Sequence, residues 1–253
     1  MTRKLLLPFV CICFSLAAYS QDINTLLKEA DNFEKQQKEA EAIDKYKQVL
    51  LSDPNQIKAL VKSAELNVIL GNKELRDKNN KRLFYETALS YARRAYEADS
   101  TNADACYAMA MASGRMTDVE TENKKKIGYV RDIKFYADRA LSINPNHARA
   151  NFVLGKWNYE MANLSGIKKA AVKIMYGSLP EGSLEKAIQY MEKCKSLEPY
   201  FVKNYLDLAK AYKDNRQPAQ AIEVLGKLVK LPTRTSEDLS LKAEGAKLLD
   251  AMQ

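Results

Sequence analysis

Apolar residues recur every three or four positions along most of the chain, the spacing of one face of an α-helix. Near the start the stripes are Leu26, Ala30 and Phe33, then Ala42, Tyr46 and Val49. Toward the other end Tyr205, Leu208, Ala209 and Tyr212 form one stripe, and Ala221, Leu225 and Leu228 the next. These lengths predict short helices in pairs, closed by Asp53-Pro54, Asn144-Pro145 and Glu198-Pro199 and each followed by another periodic segment. Proline stops a helix because it lacks an N–H and crowds the preceding turn. Pro218 instead opens one, where the missing donor is not needed. The period-two alternation of a half-buried strand is found nowhere, so the predicted fold is all-α.

Laid over one another, the pairs give the tetratricopeptide pattern. A bulky residue and an aromatic stand on the first helix, and Ala, an aromatic and a closing Pro on the second, because small residues let two helices approach closely. Residues 23–56 and 202–232 fit it well. Three middle units keep both signatures but stretch the segment between them. Leu60 and Ala64 are parted from Ala88, Ala92 and Ala95 by GNKELRDKNNKRLFYE. Cys106, Met109 and Ala110 are parted from Ile133, Ala137 and Ala140 by TDVETENKKKIGYVRD. Thr117 and Glu120 have the spacing of a capping box, which would start a second helix several turns longer than usual. The fourth unit has Leu154-Gly155 and Trp157, an extra basic helix in LSGIKKAAVKIMYGSLPEG, then Ala187, Met191 and Cys194. An amphipathic helix from about Ser236 to Met252 is expected to cap the last unit. The expectation is a helical-repeat solenoid of about five pairs.

Arg3 and Lys4 precede an apolar run from Leu5 to Ala18, with small residues at Ala18 and Ser20. The run is short of the ~20 residues of a membrane span and reads as a signal peptide, residues 1–20, cut before Gln21. The chain is therefore expected to be exported to a periplasm or cell envelope, with residues 21–253 forming the repeat domain. Export admits disulfides, yet Cys106 and Cys194 fall at apolar helix positions in different units and are expected to be buried free thiols. The net charge of +8 becomes +6 without Arg3 and Lys4. Nine Gly and seven Pro are about half the usual share of turn formers, roughly 12%, which excludes a turn-rich sandwich. One His and no cluster of Cys, His and carboxylates point to no metal, no cofactor and no enzyme.

The run GKWNYEMANLSGIKKAAVKIMYGSLPEGSLEKAIQYMEKCKSLEPYFVKNYLDLAKAYKD, with LPTRTSEDLSLKAEGAKLL after it, resembles the regulator of microtubule dynamics family of tetratricopeptide-like proteins. The likeness extends upstream through YARRAYEADS and KKIGYVRDIKFYADRALSINPNHARANFVLG, over roughly residues 55–250. It implies the helical-repeat fold. The family's eukaryotic members are associated with microtubules, spindle poles and mitochondrial or endoplasmic-reticulum membranes. The signal peptide reads as that of a bacterial exported member, which meets no microtubules, so the microtubule role is not carried over.

In such arrays the first helices line a concave groove. The groove positions are Asp104, Tyr107, Met111 and Arg115, then Arg149, Phe152, Lys156 and Tyr159, then Lys203, Asp207 and Lys210. Exposed cations beside aromatics suit an acidic or C-terminal segment of a protein partner. The predicted site is Tyr107, Arg115, Arg149, Phe152, Lys156, Tyr159, Lys203 and Lys210. The alternative is a small or lipid ligand in the same groove. Asp31, Glu65 and Met111 stand where a chaperone-tail groove would have Asn. The basic runs Lys124–Lys126 and Lys168, Lys169 and Lys173 could touch anionic lipid, though internal packing is expected for the 168–176 helix. Nucleic acid is disfavoured, since no aromatic-interleaved binding motif is present. His147 has no partner in the sequence, Trp157 reads as core, and Gly177, Pro180 and Gly182 as a turn.

Overall fold

The computed structural model describes residues 23–166, 169, 177 and 181–253. The signal-peptide reading and most of the extra basic helix lie outside the described residues. Within them, helices come in antiparallel pairs. These are α1 (23–35) with α2 (Glu39–Ser52), α3 (Ile57–Lys73) with α4 (Lys78–Ala98), and α5 (Ala103–Val119) with α6 (Asn123–Ile143). Next come α7 (Ala148–Ala162) with α8 (Leu184–Leu197) and α9 (Val202–Asp214) with α10 (Pro218–Leu228). Last is α11 (Asp238–Asp250), which packs on α9 and α10. There is no strand among the described residues.

The crossings are built on alanine. Ala42, Ala59, Ala64, Ala88, Ala92, Ala95, Ala105, Ala108 and Ala112 are all fully buried, which brings helix axes close, while Tyr46, Leu60, Leu154, Met191, Leu208 and Leu225 fill the space between them. Truncating one such Leu to Ala removes about 2–5 kcal/mol. Gly155 lets α7 and α8 cross closely, since a Cβ there would sit 2.8 Å from Met191 Cγ and 3.1 Å from the Ala187 carbonyl oxygen.

One turn joins successive units. The second helices end at Asp53, Asp99, Asn144 and Glu198, each in extended or near-extended backbone, with its N–H bonded four residues back. Three of the four precede Pro. The fourth, at Asp99, has no proline; its carboxylate accepts from the Thr101 N–H at 2.8 Å and hydroxyl at 2.7 Å, and Asp53 and Asn144 accept likewise from the N–H two residues on.

The stretched units lengthen by helix. α3 and α5 run 17 residues and α4 and α6 run 21, against 14 for α2 and 13 for α9. The expected capping box at Thr117 is not formed. Thr117 lies inside α5, its hydroxyl donating to the Gly114 carbonyl at 2.7 Å. The chain turns three residues later, with Glu120 accepting from the N–H groups of Thr121 and Glu122. Apolar contacts of Met116 and the partly buried Val119 hold the helix past the polar signal.

Candidate functional site

The inner face of the array lines a half-open cavity of about 1880 Å³. Its wall is one stripe of each first helix: Lys58, Val61, Lys62, Glu65 and Ile69 from α3; Tyr107, Met111 and Arg115 from α5; Arg149, Phe152, Lys156 and Glu160 from α7; Lys203 from α9. Apart from the adjacent Val61 and Lys62, successive members are three or four apart, as one face of a helix requires. The far wall is supplied by the chain between α10 and α11. Arg234, Thr235, Glu237 and Asp238 line the cavity opposite Glu34 of α1. The segment is held by the Asp238 carboxylate, which accepts from the N–H groups of Arg234 and Thr235 at 2.7 and 2.8 Å. It reaches the first unit through Ser236, whose hydroxyl donates to Glu39 at 3.4 Å, and Glu39 in turn pairs with Lys73 at 2.8 Å. Helical arrays of this kind are open grooves at the level of the pattern; here the two ends meet.

Six of the eight predicted residues line this cavity: Tyr107, Arg115, Arg149, Phe152, Lys156 and Lys203. Tyr159 and Lys210 do not. Tyr159 leans toward the end of α9, where its hydroxyl donates to Asp214 at 2.7 Å. Lys210 faces α11 and pairs with Glu244 at 2.6 Å, because the capping helix occupies the place of a sixth unit.

The expected exposed cations are instead half-buried and paired. Arg149 binds Glu198 at 2.6 Å and stacks 3.6 Å over the Phe201 ring, which in turn meets Phe152 edge-on at 4.9 Å. Lys156 bonds Glu160 at 2.9 Å and Asp207 at 3.3 Å. Arg115 is 3.4 Å from Asp118. Lys62, missed in the sequence, lies between Glu65 at 2.9 Å and Glu34 at 3.3 Å. A cation leaving water needs a counter-ion, and Glu198 and Asp207 lie about fifty residues away, so local pattern could not reveal them. Lys62 follows Val61, the α3 counterpart of Tyr107 and Phe152, and so stands one position off the register of the chosen residues.

Electrostatics follow the pairing. The Lys62 ammonium is held above its ordinary value by Glu65, against burial. Burial disfavours the Glu65 carboxylate, but Lys62 and Arg149 outweigh it and hold its pKa below the usual range. Burial, helped by Glu65, pushes the Tyr107 hydroxyl well up. Lys203 differs. Burial lowers its pKa, Arg115 and Lys156 add to that, and against them stand Asp207, at 4.0 Å and shared with Lys156, and the charge of Glu237.

His147 has two partners after all. Its Nδ1 accepts from the Ala150 N–H at 3.1 Å, capping α7, so the proton sits on Nε2, which lies 2.9 Å from Asp104. The hydrogen bond from His147 lowers the Asp104 pKa. The ring also packs at 5.0 Å on Tyr107, making this a fixed joint between α5 and α7. Trp157 is core, 4% exposed, with its indole N–H on the Val130 carbonyl at 2.9 Å. Cys106 and Cys194 are buried and free. No group of three or more potential metal ligands exists among the described residues.

A family model described as regulator of microtubule dynamics protein 1-3 matches residues 26–253. The chain belongs to this family. Among curated relatives, regulator of microtubule dynamics protein 1 of Bos taurus is 30% identical over 174 residues, covering 68% of this chain and 54% of that protein. Protein 3 of Xenopus laevis is 30% identical over 164 residues, 64% of this chain and 35% of that one. The chain thus spans about half or less of these regulators of microtubule dynamics. Among solved structures, the thermophilic tetratricopeptide protein TTC0263 of Thermus thermophilus superposes with a TM-score of 0.62 at 14% identity, over 90% of this chain and 98% of that one. PilW, a type IV pilus biogenesis factor, gives 0.54 at 16% identity, over 90% of each. These likenesses establish the fold: this family member is a tetratricopeptide-type helical-repeat solenoid.

Proposed function

We propose that the chain is a non-catalytic scaffold, exported by its N-terminal signal, that holds an extended segment of a partner protein in the central cavity. The observation that carries this reading is the cavity itself. Pockets for drug-sized ligands measure about 300–1,000 Å³, and about 1880 Å³ running across four first helices suits a peptide segment. Met111, Phe152 and Val153 offer apolar contact, and the segment's carboxylate belongs at Lys203, where Lys156 and Lys203 share the buried Asp207 and the charge of Arg115 acts on Lys203. The partner is therefore an acidic or C-terminal segment.

The added wall of residues 234–238 favours one second reading, an elongated lipid or other small ligand held in the same cavity. Photocrosslinking from position 111 in the native host, followed by mass spectrometry, tests both. A crosslinked protein that is lost in Lys203→Met supports the scaffold. Extraction of a stoichiometric small molecule with no crosslinked protein supports the second reading, and neither product refutes both.

A further inference from the structure

The edge of the array formed by the turns inside units two and three carries features that neither core nor cavity uses, Lys126 apart, which also lines the cavity. Leu75 stands in the α3–α4 turn, 85% exposed, and Leu83 near the start of α4, 61% exposed. Around them residues 73–83 hold five cations, Lys73, Arg76, Lys78, Lys81 and Arg82, against Glu74 and Asp77. Arg82 donates to the Val119 carbonyl and lies 3.9 Å from Glu120. That contact sets this tip beside the α5–α6 turn, where Lys124, Lys125 and Lys126 outnumber Glu120 and Glu122.

The carboxylates here are engaged locally. Glu74 accepts from the N–H groups of Arg76 and Asp77, Asp77 caps α4, and Glu122 pairs with Lys125 at 2.9 Å. Among the described residues, Arg76, Lys78, Lys81, Lys124 and Lys126 form no ion pair. On the opposite edge, where units join, one junction has the reverse sign: residues 95–105 hold Glu97, Asp99 and Asp104 and no cation, with Arg139 reaching in to the Ser100 carbonyl.

We propose that the basic edge docks on an anionic lipid bilayer, with Leu75 and Leu83 entering the headgroup layer and the unpaired lysines facing lipid phosphates. Charge chooses the occupant. Two copies of this edge would repel one another, while a surface of anionic lipids attracts every unpaired cation at once. Leucines set singly among lysines offer a protein no continuous apolar patch, whereas a bilayer accepts each one separately.

Because residues 5–18 are apolar and can bind lipid by themselves, the test reads the tip locally, in the whole chain. Leu75→Trp and Leu51→Trp are compared on vesicles of phosphatidylcholine alone and of phosphatidylcholine with about 30% phosphatidylserine. Leu51 is 84% exposed and adjoins Asp53 at a unit junction, and the buried Trp157 is common to both proteins. The expected result is a blue shift of the position-75 fluorescence on phosphatidylserine vesicles only, absent at position 51. The lipid needed for half the shift should rise roughly thirtyfold in Lys78→Gln/Lys81→Gln, from the attraction of two cations. Equal shifts at positions 51 and 75, a shift on phosphatidylcholine alone, no shift at 75, or indifference to the two lysines would each overturn the proposal. All four substituted residues are exposed or half-exposed, and an unchanged melting temperature shows the variants folded.

Discussion

Lys203 allows a test in which two neighbouring substitutions have opposite signs. Asp207 is 3% exposed and serves two ammonium groups, Lys156 at 3.3 Å and Lys203 at 4.0 Å, while one of its oxygens has no hydrogen bond among the described residues. Removing it in Asp207→Leu leaves both cations half-buried with their shared anion gone. Breaking a fully buried pair this way costs about 3–5 kcal/mol. Lys156 keeps Glu160, and both lysines reach water, so about 2 kcal/mol is expected here. Lys203→Met removes the cation that burial disfavours and lets Lys156 keep Asp207 to itself, so the change should be neutral or stabilising by up to about 1.5 kcal/mol. At about 2–4 °C per kcal/mol for a chain of this size, the two variants should melt roughly 4–8 °C below and 0–6 °C above the parent.

The pH dependence carries the same sign. In the folded state the Lys203 pKa is depressed below its ordinary 10.5, so between the two values the unfolded chain binds more protons and stability rises with pH. The advantage of Lys203→Met should therefore be fully present below the folded pKa and shrink toward pH 10.5. Thermal melts from about pH 7 to 10 check both statements. If Lys203→Met destabilises as much as Asp207→Leu, the lysine is held by a good ion pair and is not spare charge awaiting a ligand.

The glycines give a second pair of opposite outcomes. Gly155→Ala should cost about 1–3 kcal/mol against the Met191 side chain and the Ala187 backbone, whereas Gly226→Ala, with nothing within 4 Å of the new Cβ, should stabilise by up to about 1 kcal/mol. Cys106 and Cys194 should resist alkylation at about pH 8 until the chain unfolds, since both are fully buried and burial pushes the Cys194 thiol up to about 12; peptide mass spectrometry after labelling reads this. His147→Ala should lose about 1–2 kcal/mol through the α7 cap and the Asp104 bond, while His147→Asn, which can still cap, should lose less, as melting curves will show. Intact mass of protein from the native host should show a start at Gln21.

Periodicity in the sequence determined the helices, their pairing and the repeat. A stripe at three- and four-residue spacing is a local property, and alanines at the crossings declare themselves by type and register. The same register placed Tyr107, Arg149, Phe152 and Lys203 on the inner wall, because every first helix of a solenoid turns the same face inward. What the tertiary structure alone decided is the state of that wall. Glu198 and Asp207 neutralise Arg149 and Lys156 across about fifty residues, and α11 takes Lys210 for itself. Residues 234–238 wall the cavity on the side of the first unit, with a contact between Ser236 and Glu39, nearly two hundred residues apart. Such pairings depend on superhelical curvature, the sum of small rotations between units. No short window of sequence encodes that sum, so the charges could be located on a face before folding but their partners could not.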